Sequence, residues 1–200
     1  MRDRVALVTG AGSGIGRAVA LAFAAAGATV VVGDIDPAGG METVRLVQAA
    51  GGKAVYRSCE VSRNSEVQAL VDGTVEKFGR LDFACNIAGI HMASLAGMLA
   101  EPGCYAYVAS KHGILGLTKT AAFDYAKAGI RINAVCPAGI DTPGLQQAPE
   151  ELRQKLRDTT PVGRIGTPEE VAAAVLWLCS DSAGFVTGTG IVMDGGVSTV

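Results

Sequence analysis

The sequence predicts an α/β protein built on a doubly wound parallel sheet. Three observations carry this. Apolar runs such as Val5-Ala6-Leu7-Val8 and Val30-Val31-Val32 lack polar interruptions, as in strands buried on both faces. Helical stretches alternate with these runs, the pattern of a parallel sheet with crossover connections. Glycine-rich turns close most units, which accounts for 27 glycines in 200 residues without a Gly-X-Y period.

The elements follow in order. A strand at 5–8 leads through a glycine turn into an Ala-rich helix at 17–26, and a second strand at 29–34 ends in Asp34. A helix over 41–50 is closed by Gly51-Gly52, and a third strand covers 54–61. Ser62 fits as the N-cap of a helix whose Val67, Leu70, Val71, Val75 and Phe78 recur at helical spacing, ending at Gly79. A fourth strand over 81–87 ends in Asn86-Ile87-Ala88-Gly89. Residues 90–103 break the rhythm. A long helix then runs from Tyr105 to about residue 128, and a strand over 130–136 is stopped by Pro137. A charged helix over 146–158 follows. Thr167-Pro168-Glu169-Glu170 signals a helix start with Pro at N1 and Glu at N3, opening a helix that buries Val171, Val175 and Trp177. The last strand spans 189–193. Six strands are expected, in one domain over residues 1–200, since no linker-like tract divides the chain.

Net charge of −2 gives no electrostatic footprint for nucleic acid or an anionic membrane. The longest apolar stretch, 18–33, is a helix, a turn and a strand, not a membrane span, and Met1-Arg2-Asp3 leaves no room for a leader before the first strand. Five cysteines without C-x-x-C spacing read as small apolar residues in a reducing cytoplasm, and the two histidines are too isolated to hold a metal.

Function concentrates in two stretches. In Thr9-Gly10-Ala11-Gly12-Ser13-Gly14-Ile15-Gly16, Gly10 permits the tight turn, Gly14 lets backbone approach a diphosphate, and Gly16 lets the helix pack close to the sheet. The helix start offers N–H groups and a positive dipole end to an anion. Asp34, 18 residues beyond Gly16, is suited to accept hydrogen bonds from an adenosine ribose and to repel a 2′-phosphate. A phosphate-loop nucleotidase needs Gly-Lys-Ser/Thr at this point, and Gly16 is followed by Arg17-Ala18. Ligands belong at the carboxyl ends of the strands, where Asp34, Glu60, Val61 and Asn86 fall. Further on, Tyr107 and Lys111 stand four residues apart on one helix face, where the ammonium favours the phenolate and suits Tyr107 to donate and accept a proton. Ser94 is placed to hydrogen-bond a substrate oxygen.

With these residues in view the chain resembles a short-chain dehydrogenase/reductase with a Rossmann-type sheet. The matching segments are residues 9–16, Asp34, Asn86-Ile87-Ala88-Gly89, Ser94, residues 107–111, residues 133–142 and Asp194-Gly195-Gly196. The resemblance implies a homo-oligomeric, NAD-dependent oxidoreductase of an alcohol or ketone, with Ser94, Tyr107 and Lys111 catalytic, Tyr107 and Lys111 also touching the cofactor, and no metal. It implies that NAD is preferred, because Asp34 selects it and Ser13 stands where NADP users carry a basic residue. It further implies that Glu60 and Val61 border the adenine, and that Asn86, Ala88 and Gly89 line the ribose. Pro137, Ile140 and Thr142 would then approach the nicotinamide end, with Ala138 where the family usually has Gly. Only four residues separate Gly89 from Ser94, where the family has a helix and a strand, ~30 residues or more. The expectation is therefore six strands instead of seven, loss of the family's catalytic Asn and of one interface helix, and a fourth strand that can cross by the Tyr107 helix to the strand at 130–136, right-handed. Cofactor binding would survive that loss while turnover is impaired, since a ~1 Å misplacement can cost about a hundredfold.

Overall fold

The computed structural model describes residues 1–88, 93–100 and 103–199. The chain divides into two compact units, residues 1–89 and 90–200.

The first unit is built on a four-stranded parallel sheet: β1 (Val5–Thr9), β2 (Thr29–Asp34), β3 (Lys53–Ser58) and β4 (Phe83–Asn86), in the order β3-β2-β1-β4. Every residue of β1 and the middle four of β2 are buried, as uninterrupted apolar strands require. Helix α1 (Gly14–Ala25) buries Ile15, Ala18, Val19 and Phe23, and the Phe23 ring stacks on Phe83 with centroids 5.3 Å apart. Helix α3 (Asn64–Phe78) sets Leu70 into a cluster with Val5, Leu7, Val31 and Cys59, against which Val61, Val67, Val71 and Phe78 pack. Gly79, at φ +74°, closes α3. Asp82 ties the approach to β4 to the start of β1: it accepts from the Val5 N–H at 2.9 Å and from Arg4 and Arg80. Arg80 foremost, with Val5 and Arg4, holds its carboxyl down at about 2 against the opposing effect of burial.

Several boundaries in this unit differ from expectation; α1 starts at Gly14, three residues before the expected 17, and β4 covers Phe83–Asn86 instead of 81–87. Helix α2 (Pro37–Ala49) starts before residue 41, because Asp36 caps it through the Ala38 and Gly39 N–H groups and Pro37 takes the first turn. Arg63, not Ser62, holds the N-cap of α3; the Ser62 hydroxyl is bonded to Glu60 instead. β3 ends at Ser58, so Cys59 to Val61 lie beyond the ladder.

In the second unit a 3₁₀ turn (Leu95–Gly97) precedes α4 (Tyr105–Tyr125), and a further 3₁₀ turn (Ala126–Ala128) ends at Gly129. The strands β5 (Ala134–Pro137) and β6 (Gly190–Met193) pair in parallel, with Pro137 opposite Met193 as the last rung. Residues 130–133 are not ladder: Arg131, Ile132 and Asn133 bond the 180–189 loop through Ser180, Val186 and Thr187. The charged helix is two pieces, α5 (Pro143–Gln146) and α6 (Glu150–Thr159), since Pro149 lacks an N–H and can only precede a helix. Helix α7 (Pro168–Leu178) has the expected capping box, Thr167 and Glu170 each accepting the other's backbone N–H. Its buried residues are Val171, Ala172 and Leu178; Val175, expected in the core, is only half-buried, and Trp177 lies off that stripe and is 43% exposed, so it does not fill the core.

The described residues hold the six expected strands, but in a four-stranded and a two-stranded sheet: β4 pairs only with β1 and β5 only with β6. β4 alternates half-buried and exposed residues, whereas a strand inside a parallel sheet is covered on both faces.

Candidate active site

In the first unit the sheet order reverses between β1 and β4, and their last residues, Thr9 and Asn86, are register partners. Crevices at such a reversal are where open α/β sheets bind ligands. Thr9 fastens the two strand ends, its hydroxyl oxygen accepting the Ile87 N–H at 3.2 Å. Gly10 adopts φ +67°, and a side-chain carbon there would lie 2.8 Å from the Ala88 nitrogen. At Gly16 the same carbon would fall 2.0 Å from the Gly10 carbonyl oxygen. These contacts give the two glycines the tight-turn and close-packing roles expected of them. Ser13 takes the N-cap of α1 in extended backbone without a side-chain capping bond, followed by Gly14 at φ +51° and buried Ile15. The helix start is thus built from backbone N–H groups, which suits an anion such as a diphosphate.

Asp34 is drawn to this turn. Its Oδ2 accepts the Gly12 N–H at 2.7 Å and its Oδ1 the Asp36 N–H at 2.9 Å. Glu60 is engaged elsewhere: Ser62 donates to its Oε1 at 2.7 Å, and Arg63 pairs with its Oε2 at 2.9 Å. Val61 packs on the core cluster, Asn86 is exposed at the end of β4, and Ala88 abuts Gly10. Gly89 lies outside the described residues.

In the second unit Ser94 caps the 3₁₀ turn, its Oγ accepting the Ala96 N–H at 3.3 Å. Gly97 brings this turn onto α4: a side-chain carbon there would meet the Lys111 carbonyl oxygen at 2.8 Å. Ser94 and Lys111 are thereby held by adjoining backbone. One turn earlier on α4, Tyr107 is 45% exposed, while Lys111 is only 4% exposed with its Nζ 5.1 Å from the centre of the Tyr107 ring. Burial pushes the Lys111 ammonium below the usual lysine range. The ammonium thus lies over the Tyr107 ring as a cation–π contact, with the phenol edge accessible to solvent. Pro137 ends β5, Ile140 is buried and bridges Gly166, and Thr142 caps α5 through the Leu145 N–H at 3.3 Å.

Two residues with no sequence signal complete the glycine turn. Thr43 of α2 donates to the Ala11 carbonyl at 2.7 Å, and Arg17 of α1 reaches the Gly12 carbonyl and the Thr43 hydroxyl. Only the tertiary approach of α2 shows them.

Comparison with known proteins agrees across the whole chain. A family profile described as short chain dehydrogenase matches residues 4–93, and one described as enoyl-(acyl carrier protein) reductase matches residues 88–198. A 2,5-dichloro-2,5-cyclohexadiene-1,4-diol dehydrogenase of Sphingobium indicum is 36% identical over 250 residues, covering 100% of this chain and 99% of the relative. Two solved structures are similar as well. A 7α-hydroxysteroid dehydrogenase complexed with NADH and 7-oxo glycochenodeoxycholic acid has a TM-score of 0.93 at 29% identity, covering 98% of this chain and 94% of the other. An actinorhodin polyketide ketoreductase variant with NADPH has a TM-score of 0.91 at 28% identity, covering 98% of each. The glycine turn, the Ser94, Tyr107 and Lys111 arrangement and these matches lead to one conclusion: the chain is an oxidoreductase of the short-chain dehydrogenase/reductase family.

Proposed function

We propose that this protein interconverts a small-molecule alcohol and its ketone with NAD(H), using Tyr107 as proton donor and acceptor. The observation that carries this reading is the buried Lys111 with its ammonium 5.1 Å from the centre of the accessible Tyr107 ring. The first unit fits an adenine dinucleotide: its turn is too close to Ala88 for a side chain at Gly10, and the α1 start presents backbone N–H groups. When bound, the nicotinamide supplies the hydride chemistry. In oxidation the substrate hydroxyl proton passes to the Tyr107 oxygen; in reduction Tyr107 returns it to the carbonyl oxygen. Lys111 stabilises the phenolate that this cycle needs, and Ser94 hydrogen-bonds the substrate oxygen.

Gly10, Ser13, Gly14, Ile15 and Gly16 hold the diphosphate, Asp34 reads the ribose, and Glu60, Val61, Asn86, Ala88 and Gly89 border the adenosine. Pro137, Ile140 and Thr142 approach the nicotinamide. The bonds from Gly12 and Asp36 that hold the Asp34 carboxylate at the turn support NAD over NADP, because a 2′-phosphate there would meet a fixed negative charge. We read residues 1–200 as one domain carrying one active site, in a homo-oligomer of the cytoplasm; no helix among the described residues is long and apolar enough to cross a membrane. The 250-residue span of the match against 200 residues in this chain supports the absence of a helix and a strand near residue 90. That loss invites a second reading, a cofactor-binding protein with impaired turnover. The diol dehydrogenase and hydroxysteroid dehydrogenase relatives favour the working enzyme.

The test is turnover of NAD with a panel of secondary alcohols, beginning with cyclic ones, by the folded chain and by Tyr107→Phe. The wild type is expected to produce NADH and the variant to lose turnover while still binding NADH. Equal rates in both would overturn the role of Tyr107.

A further inference from the structure

We propose that Thr43 and Arg17 are positioning residues for the cofactor, which fix two successive peptide planes of the glycine turn and, through the first of them, the Asp34 carboxylate. The inference rests on the NAD-binding reading and assigns it a mechanism of selectivity.

Thr43 and Arg17 clamp the turn through its carbonyl groups. Thr43 is fully buried at 0% exposure. Its hydroxyl donates to the Ala11 carbonyl at 2.7 Å, with the Gly39 carbonyl at 3.1 Å sharing that hydrogen, and accepts from Arg17 Nε at 3.0 Å. Arg17 Nη2 donates to the Gly12 carbonyl and, at 3.4 Å, to the Gly39 carbonyl. The Ala11 carbonyl is therefore held by α2 through Thr43, and the Gly12 carbonyl by α1 through Arg17.

A peptide unit is planar and trans, so a carbonyl aimed one way aims the next N–H the other way. Drawing the Ala11 carbonyl to Thr43 turns the Gly12 N–H onto Asp34 Oδ2 at 2.7 Å. Drawing the Gly12 carbonyl to Arg17 turns the Ser13 N–H away from the guanidinium, beside the open start of α1. Thr43 thus acts on the ribose-reading acid and Arg17 on the diphosphate donors. The clamp is direct, because no side chain fits between its parts. A side-chain carbon on Gly39 would lie 2.9 Å from the Gly12 carbonyl oxygen, and one on Gly12 would lie 2.8 Å from Asp34 Oδ2.

Calorimetric titration of the folded wild type, Thr43→Val, Thr43→Ser and Arg17→Lys with NADH and with NADPH separates these roles, with ligand-free melting as the control for folding. Thr43→Val frees the Asp34 carboxylate to swing, so NADH is expected to bind about fivefold more weakly, one hydrogen bond's worth, with NADPH less affected. The NADH-to-NADPH preference shrinks, and Thr43→Ser restores it. Arg17→Lys removes the fork, weakens both cofactors by a similar factor and leaves the preference in place. Should Thr43→Val fail to fold, the Arg17→Lys and Thr43→Ser titrations still decide. Wild-type affinity for both cofactors in Arg17→Lys, or a shrunken preference in Thr43→Ser, overturns the inference. A Thr43→Val chain that folds and keeps the wild-type preference also overturns it. Wild type that binds neither cofactor, or prefers NADPH, overturns the NAD reading and this inference with it.

Discussion

The two units of the chain differ in how completely they bury themselves. In the first, β1 is buried at every position and β2 at all but its ends, and each turn that borders the glycine segment is fastened by a side chain: Thr9, Asp34, Thr43 or Arg17. In the second, the two-stranded sheet leaves β6 without a fully buried residue, and α4 buries only Lys111, Thr118 and Ala122 while Leu117 and Phe123 are more than two-thirds exposed. The glycine turn is thus packed within its own unit, whereas the unit bearing Ser94, Tyr107 and Lys111 displays apolar surface. What differs is the tolerance of each to change, and that is measurable.

The largest contrast is chemical. Tyr107→Phe is expected to lower turnover by about 10²–10⁴-fold and to leave NADH affinity within about twofold, because the phenol serves proton transfer while the cradle sits in the other unit. Initial rates with a secondary alcohol, beside a binding titration, check both halves. Retained turnover would remove Tyr107 from the chemistry.

Next comes packing at the turn. Gly16→Ala places a carbon 2.0 Å from the Gly10 carbonyl oxygen, a backbone atom that cannot yield cheaply, and should cost about 1–3 kcal/mol of stability together with NADH binding. Denaturant melts with and without NADH read both losses. A variant as stable as the wild type would show that α1 can back away from the sheet.

A smaller effect separates the units by pH. Arg80 and its neighbours depress Asp82 to about 2, so the folded carboxyl releases its proton more readily than the unfolded one. Its stabilisation is present above the ordinary aspartate range and is lost as pH falls from about 4 toward about 2. Asp82→Asn should flatten that acid limb in melting curves. Lys111 has the opposite consequence at the alkaline end. Its folded pKa lies below the unfolded value, so the unfolded state binds more protons between them and stability rises as pH climbs through the lowered pKa. Lys111→Met should remove that rise.

The smallest expected effect is at Trp177. Being 43% exposed, it should accept Trp177→Phe with a change within about 0.5 kcal/mol, read by the same melts. A loss of several kcal/mol would return it to a core.

These sites also mark how far the sequence carries. The glycine turn and the Thr167 capping box are legible because their chemistry is local: positive φ at Gly10 and Gly14, and a reciprocal cap. The start of α2 carried its signal in Asp36-Pro37, obscured by the poor helix formers Gly39 and Gly40. Ser62 and Arg63 are both plausible before a helix, and only the pull of Glu60 on the Ser62 hydroxyl decides between them. Trp177 was misplaced because apolar character does not say which stripe of a helix faces inward. Strand ends at 58 and 134 depend on which neighbours pair, which hydrophobic runs do not encode. The approach of Gly97 to the Lys111 backbone, and the Arg17 and Thr43 clamp, are tertiary throughout.

The most direct test of the central claim, that the first unit cradles an adenine dinucleotide beside a fixed acid, is titration of the folded wild-type chain with NADH and NADPH. We expect saturable NADH uptake and NADPH binding weaker by about tenfold or more, the effect of ~1.4 kcal/mol. Folded chain that takes up no NADH would contradict it.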